Sequence, residues 1–174
     1  MKDIPNLEVW QRGPVDDVPA LLQPVAHALL QAVEDVEKEM ETFPVVLLWE
    51  KPAGVASVGF HLKHITGVVN RLFTYAKGEM LSDEQMNSLK QESTTEINSI
   101  KPLVDVFRTQ VGYALIQLKN TDTNTLTDKR GVGRKQIPST VIGLLFHAAE
   151  HVQRHVGQLI VTARILRAKS IPDS

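Results

Sequence analysis

Hydrophobic residues recur every three or four positions through four long stretches of this chain, which is the spacing of amphipathic helices. The first stretch covers residues 17–43, where Pro24 either kinks the first turns or marks the true start. The second begins after Ser57, a good N-cap residue, and runs to about Lys77, with Gly78 as its stop. The pattern therefore predicts two long helices in the N-terminal half.

The connector after the second stretch is long for a simple helical hairpin. Within it, Ser82 followed three residues later by Gln85 indicates a capping box and a short helix. Links between packed helices usually take about 2 to 8 residues, so this length favours a crossover from one end of a bundle to the other. The long helices on either side would then run parallel.

Two further helices are predicted in the C-terminal half. One covers residues 99–119, and the other opens at residues 138–140 and continues to about Ala168, before Pro172 closes the ordered chain. No segment is predicted as a strand, and the basic, glycine-containing run at 129–135 is interpreted as a flexible surface turn. The prediction is an all-α four-helix bundle over residues 17–174, with a short extra helix in the crossover, preceded by an irregular arm over residues 1–16.

Composition narrows the functional classes. A chain of 174 residues favours one domain, and its apolar content of 43% is sufficient for a core. The formal net charge of −1 gives no electrostatic reason to expect a nucleic acid or an anionic membrane as partner, so we expect a small-molecule substrate. No apolar signal segment or membrane span is evident, which makes a cytoplasmic location the default expectation.

Histidines supply the candidate chemistry, because the chain has no cysteine. Five of the six lie in two predicted helices: His61 and His64 in the second, and His147, His151 and His155 in the last. Side chains four residues apart on a helix are offset by about 40°, so two such histidines can hold one ion. The spacing indicates a metal site shared by two helices.

A helical wheel ranks the histidines of the last helix. His155 lies about 20° from the centre of the apolar stripe, His151 about 60° and His147 about 100°. The wheel therefore favours His151 and His155 as inward ligands. Glu150 points roughly 160° away from the stripe, so we set it aside as a general base.

The second helix leaves its ligand open. His61 lies about 40° from the stripe centre and His64 about 100° from it, so burial alone favours His61. An edge position such as His64 can still face a neighbouring helix in a bundle whose site opens to solvent at one end.

The two histidine segments together resemble the DinB/YfiT-like superfamily of metalloenzymes. The resemblance covers roughly residues 17–168 and is strongest in the His-x-x-x-His-x-Gly-Gln segment that begins at His151. It implies an up-down-down-up four-helix bundle and a divalent metal bound by His64, His151 and His155. This ligand set does not require His61 or His147, each of which would line the substrate pocket, support a ligand or serve as an alternative ligand. Gln158 lies one turn past His155 and is expected either to support a ligand or to bond a neighbouring helix end.

The resemblance also implies a reaction class without a substrate. It suggests hydrolase or thiol S-transferase chemistry, in which the metal activates water or a low-molecular-weight thiol, and it suggests a homodimer. Imidazole ligands suit zinc, nickel and iron alike. The alternative is a non-catalytic dimeric bundle, with a stress or interaction role, whose histidines bind metal for stability or bind none.

Overall fold

Five α-helices and one β-hairpin form the structure, a computed structural model that describes residues 7–96 and 98–169. In chain order the elements are α1 (Gln23–Met40), α2 (Val58–Ala76), α3 (Asp83–Lys90), α4 (Ile100–Lys119), β1 (Lys129–Val132), β2 (Ile137–Thr140) and α5 (Val141–Lys169). Short 3-10 turns lie at Val9–Arg12, Ala20–Leu22, Val45–Leu47, Pro52–Gly54 and Thr123–Thr125. In the described ranges, no helix is both long and apolar enough to cross a membrane.

Side-chain hydrogen bonds between neighbouring helices show whether the two helices run parallel or antiparallel. They join Gln153 to Ala28 and Arg167 to Glu39 (α5 to α1), Asn70 to Gln110 and Gln117 to Phe73 (α2 with α4), and His61 to His155 and His64 to His151 (α2 with α5). Residue numbers rise together in the first two helix pairs and run oppositely in the third. The order is therefore up-down-down-up, and the predicted four-helix bundle with a crossover helix is confirmed.

Aliphatic side chains fill the space between the four long helices. The largest fully buried side chain is Phe107, and nearly all the others are leucine, isoleucine or valine. Because aromatic residues make up only 5% of the sequence, branched aliphatic packing has to supply most of the core. The helices can then approach closely along their apolar stripes.

Local signals in the sequence predicted two helix starts correctly and left a third open. The Ser57 hydroxyl accepts a hydrogen bond from the Phe60 amide and caps α2, and Ser82 and Gln85 form the predicted capping box of α3. Helix α1 begins one residue before Pro24, so this proline marks the start rather than a kink. The first predicted helix was too long at both ends.

The prediction of no strand was wrong. Strands β1 and β2 pair antiparallel, and the turn between them uses positive φ angles at Gly133 (65°) and Gln136 (48°). Arg130 donates from Nε to the carbonyl of Ala76 at 2.9 Å, which ties the hairpin to the end of α2. Four-residue strands are too short to show a period-2 pattern, and their pairing depends on contacts distant in sequence. The last helix accordingly begins at Val141.

Residues 1–6 of the predicted arm and the predicted stop at Pro172 lie outside the described residues. The rest of the arm contains the 3-10 turn Val9–Arg12, whose first amide donates to the Gln31 side chain on α1 at 2.9 Å. The proposed division at residues 16 and 17 stays a prediction.

We expect the substitution Gly59→Ala to lower the free energy of unfolding by about 1–3 kcal/mol, because a methyl group there overpacks the start of α2. A Cβ atom at this position would lie 2.5 Å from the Trp49 ring. Gly112→Ala on α4 is the matched control, since its Cβ meets nothing within 4 Å and alanine favours a helix by up to about 1 kcal/mol. Urea unfolding should show changes of opposite sign, and equal losses would contradict this packing.

Candidate metal centre

The contact between α2 and α5 brings together four of the five histidines singled out by the sequence. His61 is buried, with 3% of its surface exposed, and His64, His151 and His155 are partly buried. The two helices run antiparallel, so histidines three apart on α2 face histidines four apart on α5. Helical periodicity and the antiparallel packing of α2 on α5 together create a compact group of imidazole rings.

Two short nitrogen–nitrogen contacts cross this helix pair. His64 Nε2 lies 3.0 Å from His151 Nε2, and His61 Nδ1 lies 3.0 Å from His155 Nδ1. The ring centroids of His64 and His155 are 4.4 Å apart. Phe60 stacks on His64 with a centroid distance of 5.2 Å, which gives that ring an apolar backing.

His64, His151 and His155 each offer one ligand nitrogen, and the three atoms lie within 4.8 Å of one another. Nitrogen ligands about 2.0–2.1 Å from a tetrahedral ion are roughly 3.4 Å apart. That separation lies between the 3.0 Å that separates His64 Nε2 from His151 Nε2 and the 4.8 Å limit for the whole set. His151 Nδ1 is buried and has no hydrogen-bond partner, so that nitrogen is not committed to another polar group. The residues present therefore fit a divalent cation.

Burial favours the neutral form, which a metal requires, in three of these rings: His61, His151 and His155. Desolvation, with a smaller contribution from neighbouring histidines, lowers the pKa of His61 and of His155 from 6.5 to about 4. Desolvation also lowers the pKa of His151. At neutral pH these imidazoles carry lone pairs rather than charge.

Glu92 is a site residue that the sequence analysis missed. Its buried carboxylate accepts a hydrogen bond from His64 Nδ1 at 2.7 Å, and it lies just beyond α3 in the crossover. Carboxylates often hold the second nitrogen of a metal-ligating histidine. Nothing in the spacing of Glu92 marks it, because it lies 28 residues from His64 in an irregular segment.

His147 and Glu150 lie at the outer edge of the histidine group. The His147 side chain is 49% exposed, and its Nδ1 lies 2.6 Å from a carboxylate oxygen of Glu150. These two residues and His151 offer a second set of possible ligand atoms within 4.8 Å. The wheel placed Glu150 far from the apolar stripe, yet its carboxylate contacts both His147 and, at 2.5 Å, Arg154 on the same helix.

Gln158 lies one helical turn beyond His155 on α5 and is exposed. The structure therefore separates the residues proposed for the pocket. His61 contacts a histidine of the proposed ligand set directly, His147 flanks the set, and Gln158 faces solvent.

We expect metal-free protein to lose stability as the pH falls from about 6.5 to about 4. The unfolded chain takes up protons near pH 6.5, whereas folded His61 and His155 resist protonation until about pH 4. Urea unfolding across this range should show a shallower loss for His61→Asn than for the unchanged protein. An identical pH dependence in the two proteins would contradict the lowered pKa of His61.

Solved structures that share this fold include two from Bacillus species. One is YfiT from Bacillus subtilis, described as a probable metal-dependent hydrolase with an unusual four-helix bundle topology; it is 13% identical, with a TM-score of 0.67 over 89% of this chain and 93% of YfiT. The other is a DinB-like protein from Bacillus cereus ATCC 10987, 18% identical, with a TM-score of 0.60 over 84% of this chain and 95% of that protein. Likeness at such identities shows the fold alone.

No curated protein sequence matches the chain significantly. The family comparison is more informative, because the sequence profile of the DinB superfamily matches residues 6–159. That match includes α1 to α4, the hairpin and all the histidines discussed above. The chain therefore belongs to the DinB superfamily.

Proposed function

We propose that the protein is a divalent-metal-dependent enzyme whose ligands are His64, His151 and His155. The observation that carries this proposal is the convergence of three imidazole nitrogens within 4.8 Å of one another at the contact between α2 and α5. The lowered pKa values of His151 and His155 support it, because neutral rings in a buried group are ready to bind a cation.

Three protein ligands leave an open coordination position, which is typical of catalytic rather than structural metal sites. A divalent cation held there would act as a Lewis acid and lower the pKa of a water or a thiol. Neutral ligands leave the charge of the cation undiminished. Imidazole donors are compatible with zinc, nickel and iron, so the metal has to be identified by analysis.

The surrounding residues have definite tasks in this proposal. In this proposal His61 Nδ1 accepts a hydrogen bond from the Nδ1–H of His155, which leaves the other nitrogen of His155 free for the metal. Phe60 covers one face of His64 and excludes water from it. We assign His147, half exposed beside His151, and the exposed Gln158 to the side from which a small molecule would approach the metal.

Hydrolysis and transfer of a low-molecular-weight thiol are the two reaction classes consistent with this centre. The description of YfiT as a probable metal-dependent hydrolase favours hydrolysis. A nearby ionisable pair, His147 and Glu150, could take up the proton that either nucleophile releases. A homodimer acting on a small-molecule substrate completes the proposal, and analytical ultracentrifugation tests the dimer.

A non-catalytic role is the second candidate. The proposed ligands come from two helices, so a bound metal would cross-link α2 to α5 and stabilise the bundle without any turnover. This possibility is favoured by the extensive packing between the same two helices.

Removing any one ligand should weaken metal binding by more than about 100-fold, beyond the effect of changing a supporting residue. The variants His64→Ala, His151→Ala and His155→Ala, purified without an affinity tag, are compared by competition with a chromophoric chelator. The control is His27→Ala. His27 lies on α1, and its Nε2 is 3.1 Å from the carbonyl oxygen of Gly13 rather than in the proposed ligand set. Absence of stoichiometric metal in the unchanged protein after reconstitution with zinc, nickel or iron would refute the proposal.

Melting with and without chelator separates the two candidates. We expect metal to raise the melting temperature and also to support turnover, in a screen of ester and amide hydrolysis and of thiol addition to electrophiles. Metal-dependent turnover that disappears in His151→Ala supports the enzyme. A large metal-dependent stabilisation with no turnover in any class would favour the structural role.

A further inference from the structure

We infer that Glu92 is a positioning residue that, together with Arg71, selects the tautomer of His64 before any metal binds, which presupposes the proposed ligand role of His64. Each oxygen of Glu92 has its own partner. Oε2 lies 2.7 Å from His64 Nδ1, and Oε1 accepts from Arg71 Nη1 at 2.6 Å. The carboxylate therefore bridges a cation and a ligand ring.

The chemistry of the three groups dictates where the His64 proton lies. Arginine can only donate hydrogen bonds and an ionised carboxylate can only accept them. His64 Nδ1 must consequently carry the proton, and the lone pair of the neutral ring lies on Nε2. That nitrogen is the one that faces His151 Nε2 at 3.0 Å. Glu92 thus directs the correct atom of His64 toward the metal centre.

The carboxylate occupies space on the surface of α2 that is free because residue 67 is glycine. A Cβ atom at Gly67 would lie 2.5 Å from Glu92 Oε1 and closer still to Arg71 Nη1. Gly67 falls between His64 and Arg71 on one face of the helix, at spacings of three and four residues. A side chain there would displace the ion pair, so glycine makes room for it.

Lys63 holds the backbone on both sides of Glu92. Its ammonium donates to the carbonyl of Gln91 at 2.6 Å and to that of Thr94 at 2.9 Å. The crossover segment is therefore anchored to α2 by two cations, Lys63 through the backbone and Arg71 through the side chain. Rigid support of this kind keeps a ligand ring in one orientation.

Burial distinguishes this trio from a similar one on α5. Glu150 also bridges a histidine and an arginine, His147 and Arg154, but its side chain is 29% exposed and the arginine is 54% exposed. The side chains of Glu92 and Arg71 are 8% and 11% exposed. Where water cannot compete, the carboxylate imposes its hydrogen-bonding demand on the ring.

The isosteric substitution Glu92→Gln tests the tautomer directly. Arg71 only donates, so the amide oxygen should turn toward it and the amide nitrogen toward His64 Nδ1. His64 Nδ1 must then accept, which moves the ring proton to Nε2. We expect two-bond ¹H–¹⁵N spectra of metal-free protein to show this switch, together with metal affinity lower by roughly 10- to 100-fold.

The double variant Arg71→Met/Glu92→Gln should reverse the effect. Without the arginine, the amide is free to rotate and offer its oxygen to His64 Nδ1, so the original tautomer and most of the affinity return. Simple loss of structure predicts the opposite, because the double variant removes more native contacts. If Glu92→Gln does not fold, Gly67→Ala displaces the same carboxylate and should disturb the same ring.

Glu39→Gln is the matched control. Glu39 is another buried carboxylate, which accepts from Arg167 at 2.7 Å, but Arg167 lies twelve residues beyond His155, or about 18 Å along α5. We expect this variant to lose stability while leaving the His64 tautomer and the metal affinity unchanged. An unchanged tautomer and an affinity within about threefold in Glu92→Gln would overturn the inference.

The tautomer is measured in metal-free protein, so its result does not depend on the proposed function. If the unchanged protein binds no metal but Glu92→Gln still switches the tautomer, the proposed enzyme fails and the positioning role survives. If metal binds but unchanged His64 carries its proton on Nε2, the positioning role fails and the metal centre survives.

Discussion

Burial of imidazole rings in the contact between α2 and α5 is the constraint on which the candidate site depends. An aliphatic interface penalises charge, so His61 and His155 have pKa values near 4 and stay neutral in ordinary conditions. Neutral rings can pack 3.0 Å from one another without repulsion. The same desolvation that makes the group costly to protonate leaves its nitrogen lone pairs available to a metal, and this links the stability of the bundle to its proposed chemistry.

The up-down-down-up order is what makes this arrangement possible. Helices α1 and α5 run parallel, as do α2 and α4, and α2 lies antiparallel to α5 with the histidines of the two helices opposite one another. The crossover needed to make α2 and α4 parallel passes along α2 and delivers Glu92 to the far side of His64. The long connection between α2 and α4 therefore supplies a residue to the site.

Around the proposed ligands the chain builds two kinds of support. His61 contacts His155 from within the core, whereas Glu92 contacts His64 from the crossover and is itself held by Arg71. His151 Nδ1 has no such partner among the described residues. The three rings are thus held unequally: a carboxylate holds His64, another histidine contacts His155, and the Nδ1 of His151 has neither kind of partner among the described residues. Membership of the DinB superfamily agrees with the bundle and leaves the reaction to be established by experiment.

The helices could be predicted from the sequence because their signals are interactions between residues a few positions apart. These signals are the 3.6-residue period, the Ser57 cap, the Ser82 capping box and the histidine spacing on α5. The sequence analysis did not predict the hairpin, the hydrogen bond from His64 to Glu92 or the contact between Glu150 and His147. The choice between His61 and His64 was likewise open from periodicity. It turns on how α2 is rotated against α5, and the structure groups His64 with His151 and His155. Such features arise from pairings distant in sequence or from side-chain rotamers, which only packing of the whole chain decides.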